Sequence, residues 1–202
     1  MANKKKNAKD RQSGAKSGAK SAANSGAKSY VHIITGDGGG KTTSALGVAM
    51  RSLGQGRKVG MVQFMKGRKD IGEWKIQKKL EKVMPGRYEV FQFGRKEFVN
   101  LKKPSLKDAE AANEGLGFAK EFLREKAHPD VLILDEINLA LALGLLNIKD
   151  VVHTLQSAAP GVDIYMTGRR APKELYAYAD YVTVVEDEKR PKKIITRKGI
   201  DY

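Results

Sequence analysis

The feature that most constrains this chain is a glycine-rich segment that joins a β-rich run to a helix-like stretch. The run occupies 31–34, the stretch occupies 44–53, and between them stands Gly36-Asp37-Gly38-Gly39-Gly40-Lys41-Thr42-Thr43. This order of strand, glycine-rich turn ending in Lys-Thr, and helix is the one that a phosphate-binding loop requires. Glycines allow backbone N–H groups to converge on an anion, and a helix start adds unpaired N–H donors with a positive dipole end. The segment therefore predicts a phosphate-binding site.

Two side chains of this loop have predicted roles of their own. Lys41 supplies a mobile positive charge for a terminal phosphate, and Thr42 offers a hydroxyl to Mg²⁺, which binds oxygen ligands and shares phosphates. The spacing departs from the usual pattern, because three residues rather than the usual four separate Gly36 from Gly40. The alternative interpretation is a structural glycine turn between a core strand and a core helix.

A second informative stretch is the apolar run 131–134, which is followed by Asp135 and Glu136. The run predicts a buried strand with both carboxylates at its carboxyl end. In phosphate-loop proteins an acid at this place lies beside Mg²⁺ or its water shell, and a second acid often serves catalysis. The alternative is a strand that ends at the start of a helix, where acidic residues are also favoured. Together with the Gly-Lys-Thr loop, the pair favours the metal role.

Strand-like and helix-like segments alternate along the chain. The predicted strands are 31–34, 59–64, 88–93, 131–134, 163–167, 181–185 and 193–196. The predicted helices are 44–53, 71–82, 106–126, 137–146 and 148–157, with a further short helix opened by Pro172. Such alternation implies right-handed βαβ units. The predicted fold is α/β, a mostly parallel sheet flanked by helices in three layers, as in the RecA-like phosphate-loop NTPases.

In parallel sheets of this kind, ligands bind outside the carboxyl ends of the strands. The chemistry-bearing residues fall at that edge and predict one nucleotide site: residues 36–43, Gln63, Lys66, Arg95, Asp135, Glu136, Thr167 and Arg169. The chain has no cysteine, no histidine that is expected to be catalytic and no serine with partners at telling positions, so no nucleophile–base pair is visible. Either Glu136 activates water or a substrate hydroxyl, as in an ATPase or kinase, or the substrate brings its own nucleophile.

Length, composition and charge restrict the remaining classes. At 202 residues the chain is long enough for one domain, and without 18 consecutive apolar residues it is not expected to span a membrane. The absence of cysteine fits a cytoplasmic protein. The net charge of +15 resembles a nucleic-acid signal, but about half of the excess lies in residues 1–29, which hold eight basic residues against one acidic.

Residues 1–29 form a basic segment of low complexity in which Ser-Gly-Ala-Lys occurs three times. Apart from Met1 its apolar residues are no larger than alanine, so it cannot bury enough surface to offset its ordering entropy. We predict a disordered basic tail at 1–29 and a single nucleotide-binding domain at 30–202. A basic arm that touches nucleic acid is the alternative, but without interleaved aromatic residues nucleic acid is not an expected partner.

Five short motifs occur in order along residues 30–202. They are Thr35-Gly36-x-Gly38-x-Gly40-Lys41-Thr42-Thr43, Val62-Gln63-Phe64-Met65-Lys66-Gly67, Leu134-Asp135-Glu136, Thr167-Gly168-Arg169 and Gly199-Ile200-Asp201-Tyr202. This combination resembles the ATP:corrinoid adenosyltransferases of the BtuR/CobO type, which act in cobalamin synthesis. The loop that is one residue short is the form that this family uses.

The resemblance implies transfer of the 5′-deoxyadenosyl group of ATP to the Co(I) of a corrinoid, with release of triphosphate, in adenosylcobalamin synthesis or salvage. This is the cob(I)yrinic acid a,c-diamide adenosyltransferase type of reaction. Cobalt(I) is then the nucleophile, which would explain why no catalytic base is visible. The leaving triphosphate needs loop N–H groups, Lys41 and Mg²⁺ to neutralise its charge. The resemblance also implies that ATP lies reversed in the loop, with its 5′ carbon facing the corrinoid.

By the same resemblance, residues divide into four groups. The catalytic residues are Lys41, Glu136 and Arg169, and the nucleotide-binding residues are Gly36, Asp37, Gly38, Gly39, Gly40, Lys41, Thr42 and Thr43. The Mg²⁺ contacts are Thr42, Glu136 and Asp135, and the candidate corrinoid contacts are Phe98, Lys66 and Arg95. A flavoprotein or flavodoxin-like reductant and a homodimer are the expected partners.

Two positions depart from the pattern of the family. Gly39 stands where bacterial members tend to have a lysine, and the loop after the third strand holds Phe98 but lacks a Phe-x-Trp element. The resemblance implies that such an element helps to free the lower face of cobalt. Phe91, Phe93 and Phe98 are candidates for this role, although Phe91 and Phe93 are also expected to pack in the core.

Two other functions compete with this interpretation. A phosphate-loop ATPase or small-molecule kinase would produce ADP with phosphate or a phosphorylated product, and not triphosphate. A nucleic-acid-binding ATPase would lose a salt-dependent affinity for DNA or RNA when residues 1–29 are removed. Neither requires the terminal Gly-Ile-Asp-Tyr together with Thr-Gly-Arg.

Overall fold

The computed structural model describes residues 28–97, 99–124, 128–193 and 196–200. In these residues six strands form one sheet in the order β3-β2-β4-β5-β1-β6, and every neighbouring pair is parallel. The strands are β1 (Val31–Thr35), β2 (Val59–Phe64), β3 (Tyr88–Phe93), β4 (Val131–Asp135), β5 (Asp163–Thr167) and β6 (Tyr181–Val184). The predicted parallel sheet is confirmed. Of the late strand predicted at 193–196, positions 194 and 195 lie outside the described residues.

Five α-helices and a 3₁₀ helix connect the described strands. They are α1 (Lys41–Gly54), α2 (Gly72–Val83), α3 (Leu106–Arg124), α4 (Ile137–Ala142), α5 (Ile148–Gln156) and the 3₁₀ helix Lys173–Tyr178, which follows Pro172. The helix predicted at 137–146 is wrong at its end, because α4 stops at Ala142. Gly144 has a φ of 70°, and the Leu145 N–H donates to the Ala140 carbonyl over 3.0 Å, an arrangement that terminates helices.

The helices cover both faces of the sheet and make three layers. Ile33 and Ile34 of β1 point to opposite faces and belong to two different cores. The core around Ile34 includes Ala45, Ala49 and Leu53 of α1, with Trp74 of α2 packed against it. The core around Ile33 includes an α3 stripe at three- and four-residue intervals, Ala112, Leu116, Ala119 and Leu123. The predicted stripe and the predicted packing role of Trp74 are confirmed.

The strand order determines where the candidate site lies. The phosphate loop leaves the end of β1, the acid pair leaves the end of β4, and β5 runs between these two strands. Because all of these strands are parallel, their carboxyl ends meet at one edge of the sheet. Thr167, the last residue of β5, therefore stands between the loop and the acid pair.

Two residues that the sequence analysis assigns to the tail contact the domain. Lys28 Nζ lies 2.7 Å from Asp180 Oδ1, and Ser29 Oγ donates to the Ala159 carbonyl over 3.2 Å. The remainder of the predicted tail, residues 1–27, lies outside the described residues. Among the residues that are described, no helix has both the length and the apolar character needed to cross a membrane.

Candidate active site

The phosphate loop connects the end of β1 to the first turn of α1. Gly36 and Gly40 have φ angles of 101° and 93°, in the left-handed region that residues with side chains rarely adopt. Gly40 directly precedes α1, and no side chain caps the helix there. The first N–H groups of α1 therefore have no side-chain capping acceptor, which suits them to bind an anion.

Two glycines of the loop have a further reason to lack a side chain. A Cβ at Gly36 would lie 2.3 Å from the Val185 carbonyl oxygen, and a Cβ at Gly38 would lie 2.7 Å from the Glu186 carbonyl carbon. The Gly38 N–H also donates to the Val185 carbonyl over 2.8 Å. The chain that follows β6 thus passes directly against the loop, a contact that the glycine pattern does not reveal.

Lys41 lies in the first turn of α1, where only 7 % of it is exposed. Its ammonium donates to the Gly38 carbonyl oxygen. Burial lowers the pKa of Lys41, and the nearby Arg169 guanidinium lowers it further, whereas Glu136 acts in the opposite direction. A bound phosphate would favour the charged form of this lysine, as any close anion does.

Asp135 ends β4 and is completely buried, yet both oxygens of its carboxylate have two donors. The Thr42 and Thr167 hydroxyls donate to Oδ1 over 2.8 and 2.7 Å. The Lys66 ammonium and the Gln63 amide donate to Oδ2 over 2.6 and 3.1 Å. Burial by itself would raise the pKa of Asp135, but the Lys66 charge and the hydrogen bonds outweigh burial and hold the pKa below its ordinary value.

The hydrogen bond from Thr42 to Asp135 orients the hydroxyl for a cation. A hydroxyl has one proton and two lone pairs, and Thr42 donates its proton to Asp135. Its lone pairs therefore remain for an electropositive partner. Asp135 itself has its four acceptor positions occupied by donors of this chain.

Glu136 combines an unfavourable backbone conformation with a buried, unpartnered oxygen. Its φ of 64° lies in the left-handed region, and its N–H donates to Thr167 Oγ1 over 3.2 Å. Its Oε2 atom is buried and has no hydrogen-bond partner among the described residues. Burial raises the pKa of Glu136, and the adjacent Asp135 carboxylate raises it further. A buried carboxylate oxygen without a donor marks a candidate cation ligand.

This donor set fits Mg²⁺. The Thr42 hydroxyl and the Glu136 carboxylate are hard oxygen ligands, which this ion prefers. In the part of the chain that is described, no group of three His, Cys, Asp or Glu residues could hold a metal ion by itself. One hydroxyl and one carboxylate suit Mg²⁺, which is usually bound through one or two carboxylates together with substrate phosphates and water.

The remaining predicted nucleotide contacts lie at the rim of the site. Asp37, Gly39, Thr43 and Arg169 are exposed. Arg169, which follows β5, lowers the pKa of Lys41 through its charge, and Asp37 of the loop raises it. The fold therefore brings together Lys41, Thr42, Asp135, Glu136 and Arg169, which come from three different segments of the sequence.

Two of the three candidate corrinoid contacts, Lys66 and Arg95, lie on adjoining loops, since a Cβ at Gly94 would lie 2.5 Å from the Lys66 backbone nitrogen. The Lys66 ammonium is engaged with Asp135. The Arg95 guanidinium pairs with both oxygens of Asp108, which also accepts from the N–H and hydroxyl of Ser105 at the start of α3. Arg95 thus has a structural role in a helix-capping network. Phe98 lies outside the described residues.

Phe91 and Phe93 pack against the α3 side of the sheet. Their ring centroids lie 4.4 and 5.4 Å from that of Phe118, and both rings contact the larger core. The core-packing interpretation of these two phenylalanines is confirmed.

A polar row that crosses three strands extends the site beyond the predicted residues. Gln92, Gln63 and Asp135 are in register on β3, β2 and β4. The fully buried Gln63 donates to Glu73 of α2 over 3.0 Å and accepts from Gln92 over 3.0 Å. A glutamine inside an apolar strand was the signal for this row. Glu73 had no comparable signal, because only the packing of α2 brings it to Gln63.

A cavity of about 410 Å³ opens beside Thr42 and Lys66 and continues between α1 and α2. Met50 and Ile76 line it, together with Gly199 and Ile200 of the terminal motif. The described part of this motif therefore lines the same cavity as Thr42, whereas residues 201 and 202 lie outside the described residues.

The loop, the acid pair and the strand order define a phosphate-loop nucleotide-binding protein of the α/β class. The structure resembles the crystal structure of the flagellar accessory protein FlaH from Methanocaldococcus jannaschii, with a TM-score of 0.51. That likeness covers 80 % of this chain and 74 % of the other at 15 % sequence identity, so it shows the fold alone.

Sequence comparison identifies the family within this class. The family model described as "ATP:corrinoid adenosyltransferase BtuR/CobO/CobP" matches residues 27–202. This chain is 32 % identical to the corrinoid adenosyltransferase of Escherichia coli K12, over 87 % of this chain and 86 % of that protein. It is 33 % identical to the Pseudomonas aeruginosa corrinoid adenosyltransferase, over 83 % of this chain and 81 % of that protein. The chain therefore belongs to the ATP:corrinoid adenosyltransferase family BtuR/CobO/CobP.

A longer relative has a different extent. The uncharacterized protein all2391 of Nostoc is 34 % identical over 80 % of this chain, but the match covers only 45 % of that protein. This chain thus spans about half the length of that relative.

Proposed function

We propose that this protein transfers the 5′-deoxyadenosyl group of ATP to the Co(I) of a corrinoid and releases triphosphate, in adenosylcobalamin synthesis or salvage. Family membership over residues 27–202 supports the reaction. The structural observation that carries the proposal is the 2.8 Å hydrogen bond from Thr42 to Asp135, which joins the phosphate loop and the acid pair into one site.

The corrinoid substrate supplies the nucleophile. The electron pair of Co(I) forms a cobalt–carbon bond with the 5′ carbon of ATP, and the bond from that carbon to the triphosphate oxygen breaks. Triphosphate leaves with the electron pair, and no proton has to be removed in this step. The reaction therefore needs no catalytic base, and the task of the protein is to stabilise the charge that develops on the leaving group.

The chain offers several positive groups for that charge. Loop N–H groups at the start of α1 and the Lys41 ammonium would bind the leaving triphosphate. Arg169, which is near enough to act on Lys41, would add a contact to a phosphate or to the nucleotide. Donors aimed at the place where charge develops lower the barrier to the reaction.

We assign Mg²⁺ to the Thr42 hydroxyl and the Glu136 carboxylate. Asp135, which the sequence analysis names with them, would instead accept the Thr42 proton and hold that ligand, since its own acceptor positions are occupied. When bound, Mg²⁺ would neutralise phosphate charge as a Lewis acid.

Other parts of the proposal come from the family resemblance. They are a corrinoid near Lys66, Arg95 and Phe98, a flavoprotein or flavodoxin-like reductant that supplies Co(I), a homodimer and a cytoplasmic location. The engagement of Lys66 with Asp135 and of Arg95 with Asp108 means that a corrinoid would have to compete with these contacts or use other atoms of the two side chains.

An anaerobic assay tests the reaction. Purified protein, Mg-ATP and chemically reduced cob(I)alamin should give the visible spectrum of a light-sensitive adenosyl-corrinoid. Lys41→Ala should lower the rate by about a hundredfold, the typical loss when one charge-stabilising donor is removed. Lys78→Ala, which alters an exposed lysine of α2, is the matched control and should leave the rate unchanged. ADP formation without a cobalt–carbon bond would contradict the proposal and indicate an ATPase or kinase.

A further inference from the structure

The chain that follows β6 brings a carboxylate to the phosphate loop. Asp187 Oδ1 accepts a hydrogen bond from the Gly39 N–H over 3.0 Å. Val185, two residues earlier, holds this segment against the loop through two backbone hydrogen bonds. Its N–H donates to the Thr35 carbonyl and its carbonyl accepts from the Gly38 N–H, each over 2.8 Å. Two consecutive N–H groups of the loop therefore bind oxygen atoms of this chain itself.

The Asp187 carboxylate stands where the loop would bind an anion. A Cβ built at Gly39 would lie 3.9 Å from Asp187 Oδ1. The same carboxylate acts on Lys41, whose pKa it raises against the larger effect of burial. One carboxylate thus interacts with a loop N–H group and with the loop lysine, the two kinds of group that hold phosphate in such loops.

We propose that Asp187 is a built-in competitor for the phosphate loop, which substrate triphosphate must displace from the Gly39 N–H. The inference rests on the proposed nucleotide site. Val185 contacts the loop through its backbone and keeps the segment attached, whereas Asp187 makes a side-chain contact from an exposed position and can rotate away. Asp187 thereby sets the affinity for ATP, and by returning to Gly39 it speeds the departure of product triphosphate.

Competition of this kind has a measurable size. The apparent affinity falls by the fraction of molecules in which the loop N–H is free. Exposed charged contacts shift such equilibria by a factor of a few. We expect removal of the carboxylate to tighten triphosphate binding about fivefold, which corresponds to a free loop in about one wild-type molecule in five.

The test is calorimetric titration of the full chain with tripolyphosphate and with Mg-ATP. The variants are Asp187→Ala, which removes the acceptor, and Asp187→Asn, which keeps a neutral acceptor. Glu186→Gln and Glu188→Gln are the matched controls, because each removes one negative charge at an exposed neighbouring position. Thermal unfolding of every variant is recorded alongside.

We expect Asp187→Ala to bind tripolyphosphate about fivefold more tightly than wild type and to release it more slowly. Asp187→Asn should have an intermediate affinity, and the affinities of both controls should stay within about twofold of wild type. Unchanged or weaker binding by Asp187→Ala would overturn the proposed competition. An equal gain in affinity in the two controls would also overturn it, because net charge alone would then explain the tighter binding. If neither wild type nor Asp187→Ala binds tripolyphosphate, the nucleotide site itself is wrong. Tight binding without a cobalt–carbon bond would overturn only the proposed reaction.

Discussion

In the carboxylate half of the candidate site, Asp135 is buried and has a donor at each of its four acceptor positions, whereas the phosphate-loop half is partly exposed and is held by the chain that follows β6. On the first side, the four donors to Asp135 come from three segments, which are α1, the end of β2 with the residues after it, and the end of β5. On the second side, the Gly39 N–H has one partner, the side chain of Asp187. The two halves meet at the Thr42 hydroxyl.

The difference indicates how the two halves would respond to a ligand. A buried carboxylate with four donors is fixed before any ligand arrives, because each donor would lose its partner if the carboxylate moved. The loop half can exchange the exposed Asp187 carboxylate for a phosphate oxygen at the Gly39 N–H. Preorganisation therefore belongs to Asp135 and its donors, and adjustment belongs to the Asp187 contact with the loop.

Removal of the Asp135 carboxylate should break the rigid half and give the largest effect. Asp135→Ala leaves the Lys66 ammonium and two hydroxyls without their acceptor, so we expect the free energy of unfolding to fall by about 3 kcal/mol or more. Urea denaturation measures the change. Asp70→Ala, which breaks the exposed ion pair with Arg68, is the control and should leave stability unchanged. Equal stability of the Asp135 variant and wild type would mean that this half is not preorganised.

A glycine series should separate the packed part of the loop from its open part. Gly36→Ala forces a side chain into the left-handed region and against the Val185 carbonyl, so we expect a loss of about 2 kcal/mol in unfolding free energy. Gly40→Ala has the unfavourable φ but open space, and its loss should be smaller. Gly39→Ala has neither constraint and should unfold like wild type. A different order in chemical denaturation would show that the post-β6 segment does not lie on the loop.

The two adjacent acids should have opposite effects of pH on stability, which is the smallest effect expected here. The raised pKa of Glu136 means that its contribution is favourable below the ordinary glutamate pKa and is lost as pH rises through the raised value. The lowered pKa of Asp135 means that its contribution is present above the ordinary aspartate pKa and is lost as pH falls through the lowered value.

Glu136→Gln removes the first of these two contributions. In the presence of a chelator, the variant should be more stable than wild type at pH 8, and the difference should shrink as the pH approaches 4. Urea denaturation at several pH values measures it. A constant difference across this range would contradict the raised pKa, since the slope vanishes only if Glu136 has the same pKa in the folded and unfolded states.

Much of the fold and the centre of the site follow from local sequence signals. One apolar run is followed by the glycine loop with Lys41 and Thr42, and another is followed by Asp135 and Glu136. Both patterns place these side chains at the carboxyl edge of a parallel sheet, whatever the details of packing. The end of α4 was misjudged because the leucine-rich pattern continues past the left-handed turn at Gly144.

Other parts of the site depend on long-range packing and had no local signal. Asp187 meets Gly39 across 148 residues, and nothing in its acidic surroundings indicates that partner. Phosphate binding is the predicted reason for Gly36 and Gly38, but the sequence does not show that the backbones of Val185 and Glu186 also lie against them. Arg95 was considered only as a ligand contact, because its pairing with Asp108 becomes visible only when α3 is packed.

The measurement that tests the central claim most directly is phosphorus NMR of the products from Mg-ATP and cob(I)alamin under anaerobic conditions, with adenosyl-corrinoid counted in the same sample. We expect one triphosphate for each cobalt–carbon bond formed, and loss of both products together in Lys41→Ala. ADP with inorganic phosphate, or triphosphate that accumulates without adenosyl-corrinoid, would contradict the proposed adenosyl transfer.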